Sequence, residues 1–191
     1  STILVAGIGG LGGSVVWSLA AAGVGNLVLV HAGNLDEPDL NRQTLMTSDW
    51  VGKPRVIKAK ETIHRFNPDI EIVTHDLWIT KENFPGLLDG VDFVIDARHN
   101  FPERRIINDC CVKAGVPYIE AAMNGLEGYL FGINPGKSAC LDCVFPEDPV
   151  WDPFGFSVFG AVAAVTGSMA ALEAIKYLSG YLPDIFGKIT Y

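Results

Sequence analysis

Ile3-Leu-Val-Ala-Gly-Ile-Gly-Gly-Leu-Gly-Gly13 is the stretch whose reading decides the fold. Four apolar residues that suit a buried strand run into Gly7, Gly9, Gly10 and Gly12. An amphipathic segment with helical spacing follows (Val15, Val16, Leu19, Ala20, Val24). The order is strand, tight turn, helix. Glycine has no Cβ, so such a turn lets backbone N–H groups at a helix N-terminus approach a phosphate closely. The glycines stand where a phosphate-binding motif requires them, and the loop reads as a phosphate cradle. The alternative is a tight strand-to-helix turn with no ligand.

Working outward, Asn26-Leu-Val-Leu-Val30 is a second short apolar strand, which completes a parallel βαβ unit. The expected fold is a Rossmann-like, doubly wound α/β domain with a mainly parallel sheet and its ligand at the carboxyl ends of strands one, two and four. An acidic residue normally ends the second strand of a dinucleotide-binding fold and holds the ribose hydroxyls. Here the position is His31, which counts against a plain NAD-dependent dehydrogenase. A histidine reaching a 2′-phosphate keeps an NADP-linked enzyme as a third reading.

The length, 191 residues, suits one domain over 1–191. A net charge of −8 without a lysine and arginine cluster argues against a nucleic-acid surface. The chain is 49% hydrophobic, yet no uninterrupted apolar run reaches the roughly 18 residues of a membrane span, so no membrane is expected. The first strand opens the chain with no signal peptide before it, and a cytoplasmic location is the expectation. Four cysteines (Cys110, Cys111, Cys140, Cys143) in such a chain do not suggest a disulfide framework.

More specific than the glycines is Leu35-Asp-Glu-Pro-Asp-Leu-Asn-Arg-Gln-Thr-Leu-Met46, followed by Val51-Gly-Lys-Pro-Arg55, which opens a helix to about Phe66. The run resembles the ThiF, MoeB, HesA and ubiquitin-activating (E1-like) family, in which an Asn-Leu-x-Arg-Gln segment precedes Gly-x-Pro-Lys. Here these read Asp39-Leu40-Asn41-Arg42-Gln43 and Gly52-Lys53-Pro54-Arg55. The likeness continues through strands expected at 70–75, 91–96 and 116–121, through Asp96, Arg98-His99-Asn100, Arg104 and Asn108, and into a late helix around 167–176. It implies a sheet of the E1/ThiF type and ATP with Mg2+ as cofactors. The reaction implied is adenylation of a carboxylate with release of pyrophosphate. Such chemistry needs cations for the triphosphate and a hard oxygen ligand for magnesium. Arg42 and Arg55 suit the first task; Arg55 replaces the family's lysine and adds a forked donor. Asn41, Gln43, His31, His99 and Asn100 complete the expected nucleotide contacts.

Several positions depart from the family. His31 and Gly33 replace the ribose-holding carboxylates, with Asn34, Asp36 or Glu37 as substitutes. His99 replaces the magnesium-linked aspartate and is a poor ligand for that ion, which leaves Asp96 to hold Mg2+ directly or through water. Pro153 falls where the family's transfer cysteine stands, so the acyl group is expected to pass to water, an amine or the thiol of a partner protein. Cys110 and Cys111 read as small buried cysteines. Cys140-Leu-Asp-Cys143 matches half of a structural zinc site; either the second Cys-x-x-Cys lies outside this sequence or the pair binds nothing, and no zinc is the expectation. The family's N-terminal helix, which lends an arginine to the neighbouring subunit, is also missing, with Arg98 and Arg104 as substitutes. The Gly/Ala face Gly160, Ala161, Ala164, Gly167 suits either a homodimer or a buried core helix. Residues Glu120–Phe131 read as a strand, turn and strand facing the glycine loop, and Trp151, Phe154, Phe156 and Phe159 line a pocket for a flat acid or belong to the core.

This pattern of missing features looks most like the ThiF-like branch of hydrogenase iron-guanylylpyridinol cofactor biosynthesis, whose small-molecule carboxylate substrate is a guanylylpyridinol. The other class of reading is a non-catalytic E1-like subunit or pseudoenzyme that serves as a scaffold.

Overall fold

In the computed structural model, which describes residues 1–148, 157–181 and 185–191, the glycine-rich opening is a strand and a helix: β1 (Thr2–Ala6) and α1 (Gly10–Ala21). Then follow β2 (Asn26–Val30), α2 (Arg55–Phe66), β3 (Glu71–His75), the short α3 (Phe84–Leu87), β4 (Phe93–Asp96) and α4 (Phe101–Ala114). The chain continues with β5 (Tyr118–Asn124), β6 (Glu127–Ile133), the short α5 (Leu141–Val144), α6 (Gly160–Leu178) and β7 (Ile189–Thr190). The sheet order is β3-β2-β1-β4-β5-β6-β7. The first five strands run parallel, while β6 and β7 are antiparallel additions. The order reverses between β1 and β4, and a cavity at the strand carboxyl ends there is where such sheets bind ligands.

Alternation along β1 feeds two cores. Ile3 and Val5 join the layer of α1, α2 and α6, whereas Leu4 and Ala6 join the layer of α3 and α4. All four are fully buried, and each of the larger three contributes roughly 1.5–3 kcal/mol by leaving water. The helix layer on the first side packs closely because its contacts are glycines. A Cβ on Gly12 would stand 1.7 Å from the Gly7 carbonyl oxygen, and one on Gly167 2.4 Å from that of Leu11. Gly12 thus lets α1 sit on the loop, and Gly167 lets α6 sit on α1.

Several expected boundaries shift for local reasons. Val91 closes a turn onto Leu88 after Gly90, whose φ is +72°, so β4 begins two residues later than expected. Val116 bonds back to Cys111 beyond the left-handed Gly115 that ends α4, which delays β5 to Tyr118. The Gly/Ala face of α6 divides between its two expected readings. Gly160 packs on the Asn41 carbonyl and Gly167 on α1, so these two serve the core. The exposed stripe of this helix is Ala161, Val165, Met169 and Leu172. Although α6 is long and apolar enough to cross a membrane, its Ala163, Ala170, Ala171 and Ala174 belong to the hydrophobic core.

Candidate nucleotide-binding site

A cavity of about 750 Å³ opens over the carboxyl ends of β1, β2 and β4 and extends under the β5–β6 hairpin. Gly9, Gly10 and Leu11 form part of its wall. Gly9 is the N-cap of α1 and no side chain caps this helix, so its first amides are left for an anion. A side chain at Gly10 would meet Arg42 Cγ at 2.9 Å, while at Gly9 nothing lies closer than 4.0 Å. The other two glycines of the expected cradle have a different task. Gly7, at φ +99°, donates its N–H to the Val30 carbonyl (2.8 Å), and a Cβ there would meet the Ala97 oxygen at 2.6 Å. Gly7 and Gly12 therefore shape the loop, and Gly9 and Gly10 face the ligand space.

His31 is on the wall, as expected, but half of it is already spoken for. The Ile8 N–H donates to His31 Nδ1 at 2.7 Å. Burial, then the nearby Arg98, Arg55 and His99, holds its pKa well below the ordinary value. The ring is thus neutral, and with Nδ1 accepting, Nε2 carries the proton. His31 pins the glycine loop and offers one N–H donor, where an acidic residue would offer acceptors.

The cations come from a segment that folds on itself. Asp36 caps the 3-10 turn Glu37–Asn41, and Asp39, three residues on, returns the bond by accepting the Asp36 N–H at 3.1 Å. Asp39 then serves both arginines: Oδ1 accepts from Arg42 at 3.0 Å and Oδ2 from Arg55. Gln43 Oε1 accepts from Arg55 Nε at 3.2 Å. Arg55 opens α2 beside this turn because Leu35, Gly52 and Lys53 exchange backbone bonds and Gly52 has φ +83°. Asp39, Arg42, Gln43 and Arg55 all line the cavity. Asn41 does not; it is exposed and accepts from Arg42 at 3.0 Å.

Behind the wall lies a second charged group. Asp96 is fully buried at the end of β4, and its Oδ1 accepts the Arg98 N–H at 2.9 Å. It stands opposite Glu120 in the parallel β4–β5 register. Glu120 accepts from Arg104 and from the Tyr129 hydroxyl (2.7 Å). Asp96 Oδ2 and Glu120 Oε2 have no partner. Burial, reinforced by Glu120 and opposed by Arg104, pushes the Asp96 carboxyl up to about 7. Arg98 is paired with Glu103 at 2.6 Å. Asn100 is also corrected: it is the N-cap of α4, accepts the Glu103 N–H at 2.8 Å, and is not on the wall.

The donor set fits a triphosphate and does not fit a protein-held magnesium. Asp96 lies outside the cavity wall, which corrects its expected role as a metal ligand, and His99 takes the wall position. Among the described residues no group of three or more His, Cys, Asp or Glu is placed to hold a metal. Cys140 and Cys143 do come together, with their sulfurs 3.5 Å apart. Cys110 and Cys111 lie in α4, and burial pushes both thiols up. Arg98 and Arg104 both line the cavity. Ala121, Ala122, Gly128 and Tyr129 of the expected hairpin face the glycine loop across it. Pro153, Trp151, Phe154 and Phe156 lie outside the described residues, and Phe159 is 57% exposed.

Asp39 and Glu103 are the site residues that the sequence reading passed over. Each leaves a short-range trace: Asp39 lies three residues after Asp36, and Glu103 three after Asn100, both at helix starts.

Glycine loop, switch-point cavity and paired arginines define a Rossmann-type nucleotide-binding domain. The chain belongs to the ThiF family, which it matches over residues 1–190. It is 51% identical to protein HesA of Nostoc sp. over 189 residues, 99% of this chain and 75% of that protein. It is 33% identical to a sulfur carrier protein adenylyltransferase of Thermus thermophilus over 198 residues, 99% of this chain and 73% of the relative. Among solved structures, E. coli MccB with ATP superposes with a TM-score of 0.84 at 26% identity. MccB in complex with N-formylated MccA gives 0.87 at 25%. In both cases 99% of this chain is covered, and it spans about three fifths of the MccB chain.

Proposed function

We propose that this chain binds ATP in the switch-point cavity and adenylates a carboxylate, releasing pyrophosphate. One observation carries the reading: the uncapped N-terminus of α1 opens on the same cavity as Arg42 and Arg55. In this reading the amides of the glycine loop hold phosphate oxygens. Arg42 and Arg55 balance the charge that builds as the α-phosphorus is attacked, and His31 donates from Nε2 to the ribose. Magnesium, where used, enters with the nucleotide's own phosphates, and no step here depends on a protein ligand for it.

The reading of an adenylating enzyme without its own transfer cysteine, and with a partner's thiol as acyl acceptor, rests on Pro153 falling where the family's cysteine stands. Two carboxylates compete as substrate. A small-molecule cofactor precursor such as guanylylpyridinol follows from the sequence resemblance. The terminal carboxylate of a small carrier protein or peptide is favoured by the names of the relatives. The apolar stripe of α6 supports a homodimer through Val165, Met169 and Leu172.

ATP–pyrophosphate exchange tests the reaction, with each class of carboxylate supplied in turn. Exchange with either acid supports adenylation. Calorimetry showing no ATP binding would overturn it in favour of the scaffold reading, and binding of NADP alone would revive the oxidoreductase.

A further inference from the structure

Asp39 is 8% exposed on the cavity wall; each of its oxygens accepts from an arginine the triphosphate needs, and Oδ2 also accepts the Asp36 N–H. Among the described residues Arg42 and Arg55 have no other carboxylate partner. The contrast with Arg98 is informative. Its partner Glu103 is off the wall and fully engaged, by the Ile79 N–H at 3.0 Å, by Asn100 and by two nitrogens of Arg98. That pair is fixed. The Asp39 pairs face the ligand space, where phosphate oxygens offer the same acceptor geometry to the same guanidinium nitrogens.

We propose that Asp39 is a built-in competitor of the phosphates. Resting on the adenylation reading, the exchange runs in two directions. The arginines leave Asp39 for the triphosphate as ATP binds, and Asp39 reclaims them as pyrophosphate departs. The carboxylate keeps the empty site from carrying two uncompensated cations. It also keeps the leaving group from being held too tightly, because pyrophosphate must compete with an anion already in place. Asp39 is thus a positioning residue that trades phosphate affinity for product release.

The test is calorimetry on the full chain with inorganic pyrophosphate, ATP and adenosine. Asp39→Asn removes the charge at nearly constant shape and retains an acceptor for only one arginine. It is expected to bind pyrophosphate about tenfold more tightly and ATP severalfold more tightly, with adenosine unchanged. Asp39→Glu, which keeps the charge, should stay within about twofold of wild type. Asp39→Ser provides a second neutral variant, read in the same way if the asparagine protein does not fold. Pyrophosphate affinity that is unchanged or weaker in the neutral variants overturns the proposal, since a purely structural Asp39 would weaken every phosphate ligand on removal. A wild-type protein that binds neither ATP nor pyrophosphate overturns the adenylation reading itself.

Discussion

Two groups of carboxylates and arginines lie on either side of one cavity wall, and their stoichiometry is reversed. In front, one carboxylate, Asp39, serves two guanidiniums. Behind, two carboxylates, Asp96 and Glu120, stand opposite each other in register, and only Glu120 is paired with Arg104, one oxygen of each carboxylate being unpartnered. The front group has surplus positive charge and is built to meet an anion. The rear group has surplus carboxylate in a place water does not reach, and burial there favours the protonated form of Asp96. The same residue types do opposite things because exposure to the cavity differs.

The largest effect expected from breaking this contrast is at the rear. An unfolded Asp96 releases its proton near the ordinary 3.8, while the folded one holds it to about 7. Between these values the folded state binds more protons, so stability falls as pH rises through that window, by on the order of 4 kcal/mol at most. Asp96→Asn has no proton to lose and should flatten that slope in urea unfolding measured from pH 4 to 7. An unaltered slope would mean that Asp96 is ionised throughout.

At the front the effect should be on activity and not on folding. Arg42→Ala is expected to raise the barrier by on the order of 3 kcal/mol, about a hundredfold in exchange rate. Its unfolding midpoint should hardly move, because the side chain is partly exposed. Equal losses of stability and rate would erase the distinction between the two groups. The smallest effect expected is at His31, which touches the front group's space through the loop. His31→Ala leaves the Ile8 N–H without its acceptor and should weaken ATP binding about tenfold, or ~1.4 kcal/mol, by calorimetry.

The front group was largely legible in the sequence, because its parts lie within 36–55 and obey short-range rules. Arg42, Gln43 and Arg55 were read as site residues, and the Asp36–Asp39 spacing held the missing member in view. The rear group was not legible. Asp96 was read as a metal ligand because His99 stands where the family has its magnesium-linked aspartate, and only the register of β4 on β5 shows that Asp96 faces Glu120 inside the protein. Asn41 and Asn100 were read as ligands from their motif positions, yet one is turned outward to Arg42 and the other caps α4.

By itself the sequence determined the doubly wound fold, since alternating apolar strands and amphipathic helices, punctuated by glycines, admit few other arrangements. It also singled out the glycine loop and the two arginines that come together on one cavity wall. Tertiary structure decided which glycines line the cavity and which pack, that Asp96 is buried where its protonated form is favoured, and which face of α6 is buried. Those outcomes depend on distances between elements far apart in the chain: the approach of Gly12 to Gly7, of Gly167 to Leu11, and of Asp96 to Glu120. Residue type and spacing do not encode such distances; close packing sets them.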